Sequence, residues 1–238
     1  MKKVLLLLLL LVGITANAQQ DVGGFLHVGI GTSISSGDFG ATNANNPAAG
    51  FANNGLMLHA LLGHKIHKQF GAFVSMNFSV NPVNEAALSK ALNSGPNSYS
   101  WAVKANSWSL VGFMFGPQFS QNFKKTAFDF RVALGALNFI SPQLTYSGTS
   151  LNGSDVLNIV TKEKKASAFA IGAGMTFKYE FKWSWVALIN ADYYQANPVF
   201  NQVEKVTKQT GKPDQTTYIQ FQQAFRIYQL SLGIGYVF

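Results

Sequence analysis

Apolar residues recur at every second position through most of the chain. In 25–35 (FLHVGIGTSIS), Leu26, Val28, Ile30 and Ile34 fall on one face, and His27, Gly29, Gly31 and Ser33 on the other. A period of two with small or polar residues on one side predicts a β-strand. The pattern returns with Leu56, Leu58, Ala60 and Leu62 against Met57, His59, Leu61 and Gly63. Phe70, Ala72, Val74, Met76, Phe78 and Val80 alternate with Gly71, Phe73, Ser75, Asn77 and Ser79. The stretch 107–119 is less regular, with Val111, Phe113 and Phe115 as its outward set. Phe128 to Ala136, Phe169 to Phe177, Trp183 to Tyr193 and Tyr228 to Phe238 complete the series. Eight segments of roughly ten residues result, the length a tilted strand needs to cross a bilayer.

The connections alternate as well. Those at 64–69, 120–125 and 179–182 are tight and polar, whereas 36–54, 81–106, 141–165 and 195–220 are long. Short turns on one side and long loops on the other are the asymmetry of a transmembrane barrel, and a soluble sandwich does not sort its loops so regularly. The predicted fold is therefore all-β: an eight-stranded antiparallel up-and-down transmembrane barrel with short periplasmic turns and long extracellular loops. An even strand count puts both ends of the barrel on one side. Within the loops, 84–92 predicts a short helix with Asn84 as N-cap, Leu88 and Leu92 at i,i+4, and Gly95-Pro96 as its stop. Asn152-Gly153 between 145–150 and 156–161 predicts a hairpin, as does the turn-rich 209–214 between 199–207 and 216–221. Both hairpins are expected to rise above the membrane with unpaired edges, without forming a second domain. Aromatic girdles are expected at both interfaces. Phe70, Phe119, Phe123, Phe128, Phe177, Trp183, Tyr236 and Phe238 form the inner one, and Phe78, Trp101, Trp108, Tyr193, Phe225 and Tyr228 the outer.

Composition agrees with a chain that hides little of its apolar surface from a non-aqueous phase. It is 47% hydrophobic and only 12% charged, where soluble domains carry about 25% charged residues. Lys2 and Lys3, the apolar run 4–12 and Ala16-Asn17-Ala18 read as a secretory signal, too short to span a bilayer. This gives a signal peptide over 1–18 and a barrel domain over 19–238, with Gln19 first. No cysteine is present, and a closed ladder needs no disulfide. The net charge of +8 falls to +6 without Lys2 and Lys3. Apart from those on strand phases such as Arg131 and Lys178, the basic residues lie in turns and loop tips, not among stacking aromatics. Anionic headgroups are the expected partner, and nucleic acid is not.

The closing residues YQLSLGIGYVF resemble the C-terminal assembly signal of outer-membrane proteins, with Leu230, Leu232, Ile234, Tyr236 and Phe238 on the apolar phase. The resemblance implies pairing with the barrel assembly machinery. Together with HKIHKQFGAFVSMNFS and FGPQFSQNFKKTAFDFRVALGALNF, these residues resemble the outer-membrane β-barrel family common in Bacteroidota, which includes PorT-like proteins. In size the chain is similar to OmpX/OmpA-type barrels. The resemblance implies fold and an outer-membrane address, and little about activity.

Candidate chemistry is sparse. Gly29/Gly31, Gly172/Gly174 and Gly233/Gly235 lack the helix that a phosphate-binding loop requires, so they read as small interior residues of a narrow barrel. His27, His59, Asp129, Arg131, Lys178 and Asp192 share the inward phase and form a candidate polar cluster. Charges in a narrow interior must pair, with Asp192 and Lys178 as candidate partners of Arg131 and Asp129. His27 and His59 share the lumen at different heights. His64 and His67 lie in the first short turn. No set of converging ligands is evident, so no metal or cofactor is expected. A nucleophilic serine needs a base within reach. The outer loops hold many serines but no histidine in 36–54 or after His67. That leaves His59 as the only candidate, without an evident serine partner, so no catalytic residue is assigned. The expected function is a non-enzymatic outer-membrane barrel. It contacts lipid or lipopolysaccharide, and its extracellular hairpin edges suit strand addition by a protein partner. A narrow pore, a lipid-modifying enzyme acting at His59 and an accessory of a secretion or gliding machine remain open alternatives.

Overall fold

Each of the eight alternating segments becomes a strand, and the pleat carries its apolar stripe to the outside of a ring. The computed structural model describes residues 23–43, 45–94, 98–181 and 183–238. The expected signal peptide, Gln19, the Gly95-Pro96 stop and Lys182 of the third short turn lie outside the described residues. In chain order the elements are β1 (Gly24–Ser36), β2 (Gly55–Lys65), β3 (Phe70–Asn81), α1 (Glu85–Asn93), β4 (Tyr99–Ala105), β5 (Trp108–Phe123), β6 (Thr126–Ile140), β7 (Leu144–Ser150), β8 (Val156–Thr161), β9 (Lys165–Glu180), β10 (Trp185–Ala196), β11 (Val199–Gln209), β12 (Gln215–Gln222) and β13 (Phe225–Val237).

Eight of these strands close in the order β1-β13-β10-β9-β6-β5-β3-β2. The first and last strands zip the ring from Phe25↔Val237 to Ser36↔Arg226. The Phe238 amide donates to Gly24 O at 2.8 Å, carrying the seam to the last residue. Every pair in the ring is antiparallel, and because β1 pairs with β13 the barrel has no free edge. Outward residues such as Ile30, Phe113 and Leu232 are 61%, 58% and 64% exposed, while Met57, Met114 and Leu137 on the opposite phase are all but fully buried. The greasy stripe faces out, and the interior takes the opposite phase, small and polar residues together with apolar ones such as Met57, Phe73, Met114 and Leu137.

The short turns sit at one end and the long connections at the other. Here the structure corrects the expectation of two separate, free-edged hairpins. Each hairpin forms as predicted, but β8 pairs with β11 and β7 pairs with β4, a strand the alternation does not single out. The result is a five-stranded sheet, β12-β11-β8-β7-β4, above the long-loop end. The physical reason is that two edges brought side by side satisfy each other's backbone donors and acceptors more completely than either does alone.

The outer girdle is also corrected. Trp108 and Phe225 are buried, because they continue the inward phases of β5 and β13. They stack with Phe39, Phe139 and Phe200 into an aromatic plug at the barrel mouth. Ring centroids lie 4.1 Å apart for Phe139–Phe225 and 4.3 Å for Phe39–Phe225. Trp101 belongs to β4 and sits in the cap sheet. At the short-turn end the expected ring is present, with Phe70–Phe119, Phe123–Phe128, Phe128–Phe177 and Tyr236–Phe238 in contact around the wall.

Candidate functional site

The six inward polar residues of the sequence cluster are all buried inside the ring. Register decides which of them meet. Arg131 on β6 lies opposite Gly174 on β9, and Gly174 lies opposite Asp192 on β10. A methyl group at Gly174 would fall 1.8 Å from Asp192 Oδ1. The missing side chain is therefore the gap through which the guanidinium crosses a whole strand. Arg131 Nη2 reaches Asp192 Oδ1 at 2.9 Å and donates to Asn190 Oδ1 at 2.6 Å, while Nη1 donates to Thr176 Oγ1 at 2.5 Å. Asn190 Nδ2 donates in turn to Asp192 Oδ2. Thr176 and Asn190 carry the right phase in the sequence, yet nothing there marks them as members of a network. A second pair, Lys178 Nζ to Asp129 Oδ2 at 2.6 Å, lies nearer the short-turn end. Lys178 also stands over the Phe25 ring at 4.7 Å, and Arg131 over Phe73 at 5.7 Å.

The two histidines are not partners. His59 lies opposite Gly29, and His27 opposite Leu61, two residues nearer the short turns. His27 packs against the Phe25 ring at 4.8 Å. His59 overturns one expectation: Ser231 Oγ lies 3.2 Å from its Nδ1. The pairing was invisible because the two residues are 172 positions apart and meet only through closure of the ring. Both are nearly fully buried at mid-height, remote from either end of the barrel. A nucleophile needs access as well as a base, so this pair fills the interior without offering a reacting surface. No group of three or more metal-ligating side chains converges among the described residues.

Leu232, Ile234, Tyr236 and Phe238 of the closing strand all point outward and are exposed. They continue the apolar belt and do not contribute to the interior.

The cap sheet has its own polar ties. Tyr99 Oη donates to Asp155 Oδ2 at 2.5 Å, and Gln209 Nε2 donates to the same oxygen at 2.6 Å. One carboxylate thus joins β4, the β7–β8 turn and β11. The two donors hold the Asp155 carboxyl below its ordinary value, and the same bond pushes the Tyr99 hydroxyl up.

The two edges of this sheet differ. Along β4, helix α1 supplies backbone partners from three side chains. Glu85 Oε1 accepts from Ala105 N at 2.7 Å, Ser89 Oγ accepts from Val103 N at 3.1 Å, and Asn93 Oδ1 accepts from Trp101 N at 2.8 Å. Asn93 Nδ2 also donates to Trp101 O at 2.8 Å. Four helical residues rise about 6 Å and two strand residues about 6.6 Å, so every fourth helix residue meets every second strand residue. The Asn84 side chain accepts from Ala87 N at 2.9 Å and starts that helix in register. At the other edge, among the described residues, β12 pairs on one side only, with β11. Its sequence QTTYIQFQ holds no charge and no proline, and all but Phe221 are exposed.

No family model and no curated protein matches the chain. Solved structures with a similar shape include a major outer membrane protein from Thermus thermophilus, 9% identical over 92% of this chain and 100% of that one, with a TM-score of 0.47. Ail, the attachment invasion locus protein of Yersinia pestis, is 13% identical over 92% and 100%, with a TM-score of 0.44. Neisserial surface protein A is 11% identical over 92% and 98%, with a TM-score of 0.42. The barrel itself is established by the pairing of its own strands, and nothing about activity follows from these likenesses.

Proposed function

We propose that this chain is an integral outer-membrane barrel, non-enzymatic, that carries a strand-accepting sheet on the cell surface, where an extended segment of a partner protein adds to β12. In this reading it belongs with the PorT-like barrels that its sequence resembles. The apolar belt contacts outer-membrane lipid, and the closing strand with Leu232, Ile234, Tyr236 and Phe238 engages the assembly machinery during insertion. An exposed apolar surface running around a whole barrel is far larger than the patches soluble proteins tolerate. Closure satisfies every ring strand internally, as lipid demands.

One observation carries the partner reading: the sheet guards one edge and leaves the other open. Natural edge strands are blunted by charge, proline, short length or a covering element. On β4 the covering element is a helix whose side chains occupy the backbone groups. On β12 none of the chemical guards is present, and the eight residues are long enough to template a partner strand by main-chain pairing.

The test places a photo-crosslinking residue in turn at Thr217, Tyr218, Ile219 and Gln220 of the full chain in its native cells. Strand addition gives adducts in which positions two apart on β12 join residues two apart on the partner. Substituting proline at Tyr218 or Ile219, whichever amide faces outward, removes those adducts while the barrel still folds. If no adduct forms at any of the four positions, or the adducts show no two-residue step, β12 is not an acceptor.

A further inference from the structure

Between loop 47–51, helix α1 and the inner face of the cap sheet lies a cavity of about 290 Å³. Phe51, Leu88, Trp108, Leu144, Tyr146 and Phe221 give it walls drawn from separate parts of the chain. No aspartate, glutamate, lysine or arginine lines it. The polar ends of its larger groups are mostly committed. Trp108 Nε1 donates to Gly50 O at 3.1 Å, Gln223 Nε2 donates to Ala48 O at 3.0 Å, and Ser141 Oγ accepts from Lys164 N at 3.0 Å. Tyr146, Thr161 and Gln222 are not so committed, and of these Tyr146 is the one aromatic wall group. Its ring sits on β7 at the cavity wall, and among the described residues nothing hydrogen-bonds its hydroxyl. Burial pushes that hydroxyl up from its ordinary value, so it stays a neutral donor.

Size and chemistry together define the occupant. Ligand pockets run from roughly 300 to 1,000 Å³ and combine apolar walls with a few placed polar groups. This cavity sits at the small end with few such groups, the Tyr146 and Thr161 hydroxyls and the Gln222 and Gln223 amides among them, and its uncharged walls offer an ion no compensation. The Tyr146 hydroxyl has no protein partner among the described residues and is not sealed from water, so an acceptor oxygen on a ligand replaces water as the acceptor of its hydrogen bond. We propose that the cap cavity binds a small, uncharged, largely apolar molecule whose single acceptor oxygen takes the Tyr146 hydroxyl. The site is built by the cap together with the barrel mouth and does not depend on a strand being bound at β12. Because Ile219 and Phe221 of β12 contribute wall, the ligand lies directly beneath that strand.

The purified full chain in detergent micelles, dialysed to equilibrium against 2-acetylnaphthalene and separately against naphthalene, tests this. A blank of the same micelles without protein sets the background. Wild type takes up both probes saturably above that blank. Tyr146→Phe, which keeps the ring and loses only the hydroxyl, binds acetylnaphthalene roughly five- to tenfold more weakly and naphthalene unchanged. Ala49→Trp, which fills the cavity from its wall, abolishes uptake of both. The proposal is overturned by uptake equal to the blank, by unchanged acetylnaphthalene binding in Tyr146→Phe, or by an equal loss of both probes in that variant. Should Ala49→Trp fail to fold, the paired probes on Tyr146→Phe decide alone.

Discussion

The barrel has no edge, whereas the sheet above it has two. Both are built from antiparallel strands of similar chemistry, yet they meet the problem of unpaired backbone by different means. The ring answers it once, by pairing β1 with β13. The cap answers it piecemeal: β8 with β11, a helix along β4 and, among the described residues, nothing along β12. The difference shows where specificity comes from in each part. In the ring it lies in the interior, where charges must match across strands. In the cap it lies at the edges, where side chains stand in for a missing strand.

The largest effect that tests this contrast lies inside the ring. Asp192→Ala leaves Arg131 buried with its carboxylate partner gone. Breaking a buried pair by removing one partner typically costs about 3–5 kcal/mol. Urea unfolding of the reconstituted barrel reads this directly, and a loss below about 1 kcal/mol, the scale of an exposed pair, would mean that the interior is far more solvated than the burial of these groups indicates.

A smaller and local effect is expected at the guarded edge. Asn93→Ala removes both bonds to Trp101, and a hydrogen bond contributes about 1 kcal/mol net. Amide exchange should speed up at Trp101 and along β4, while the barrel's unfolding midpoint stays fixed. Faster exchange in β6 or β9 as well would show that ring and cap are one cooperative unit.

The smallest effect is in pH. The folded state holds Asp155 below its ordinary 3.8. The stabilisation is therefore complete above that value and is lost as pH falls from there through the folded value. For Tyr99, held above its ordinary 10.0, stabilisation is complete below 10.0 and is lost as pH rises through the folded value. Proton and amide resonances of the β7–β8 turn should therefore be constant at neutral pH and loosen at both extremes. Asp155→Asn should abolish the acid limb and shrink the alkaline one, because the same carboxylate raises the Tyr99 hydroxyl.

Which side of each strand faces outward could be read residue by residue along the chain. A one-residue slip would turn every stripe over, so the pattern of Leu56, Leu58, Ala60 and Leu62 against Met57, His59 and Leu61 admits one orientation. The rule weakened at strand ends. Trp108 and Phe225 look like girdle residues by type and height, but their phase is inward, and loop residue Phe39 covers them. Thr176, Asn190 and Ser231 could not be singled out, because many inward polar residues share that phase and only height tells which ones touch.

The sequence by itself determined the alternation, the eight ring strands, the sorting of short turns and long loops, and the helix begun by Asn84. These depend on properties local to the chain: a period of two, turn residues and a cap. Only the tertiary structure decided that Arg131 reaches Asp192 across Gly174, that Ser231 meets His59, that two hairpins and β4 fuse into one sheet, and that a cavity with Tyr146 in its wall lies beneath it. Each of these depends on register between strands far apart in sequence, and register is fixed by closure of the ring and by facing edges, which no single segment encodes.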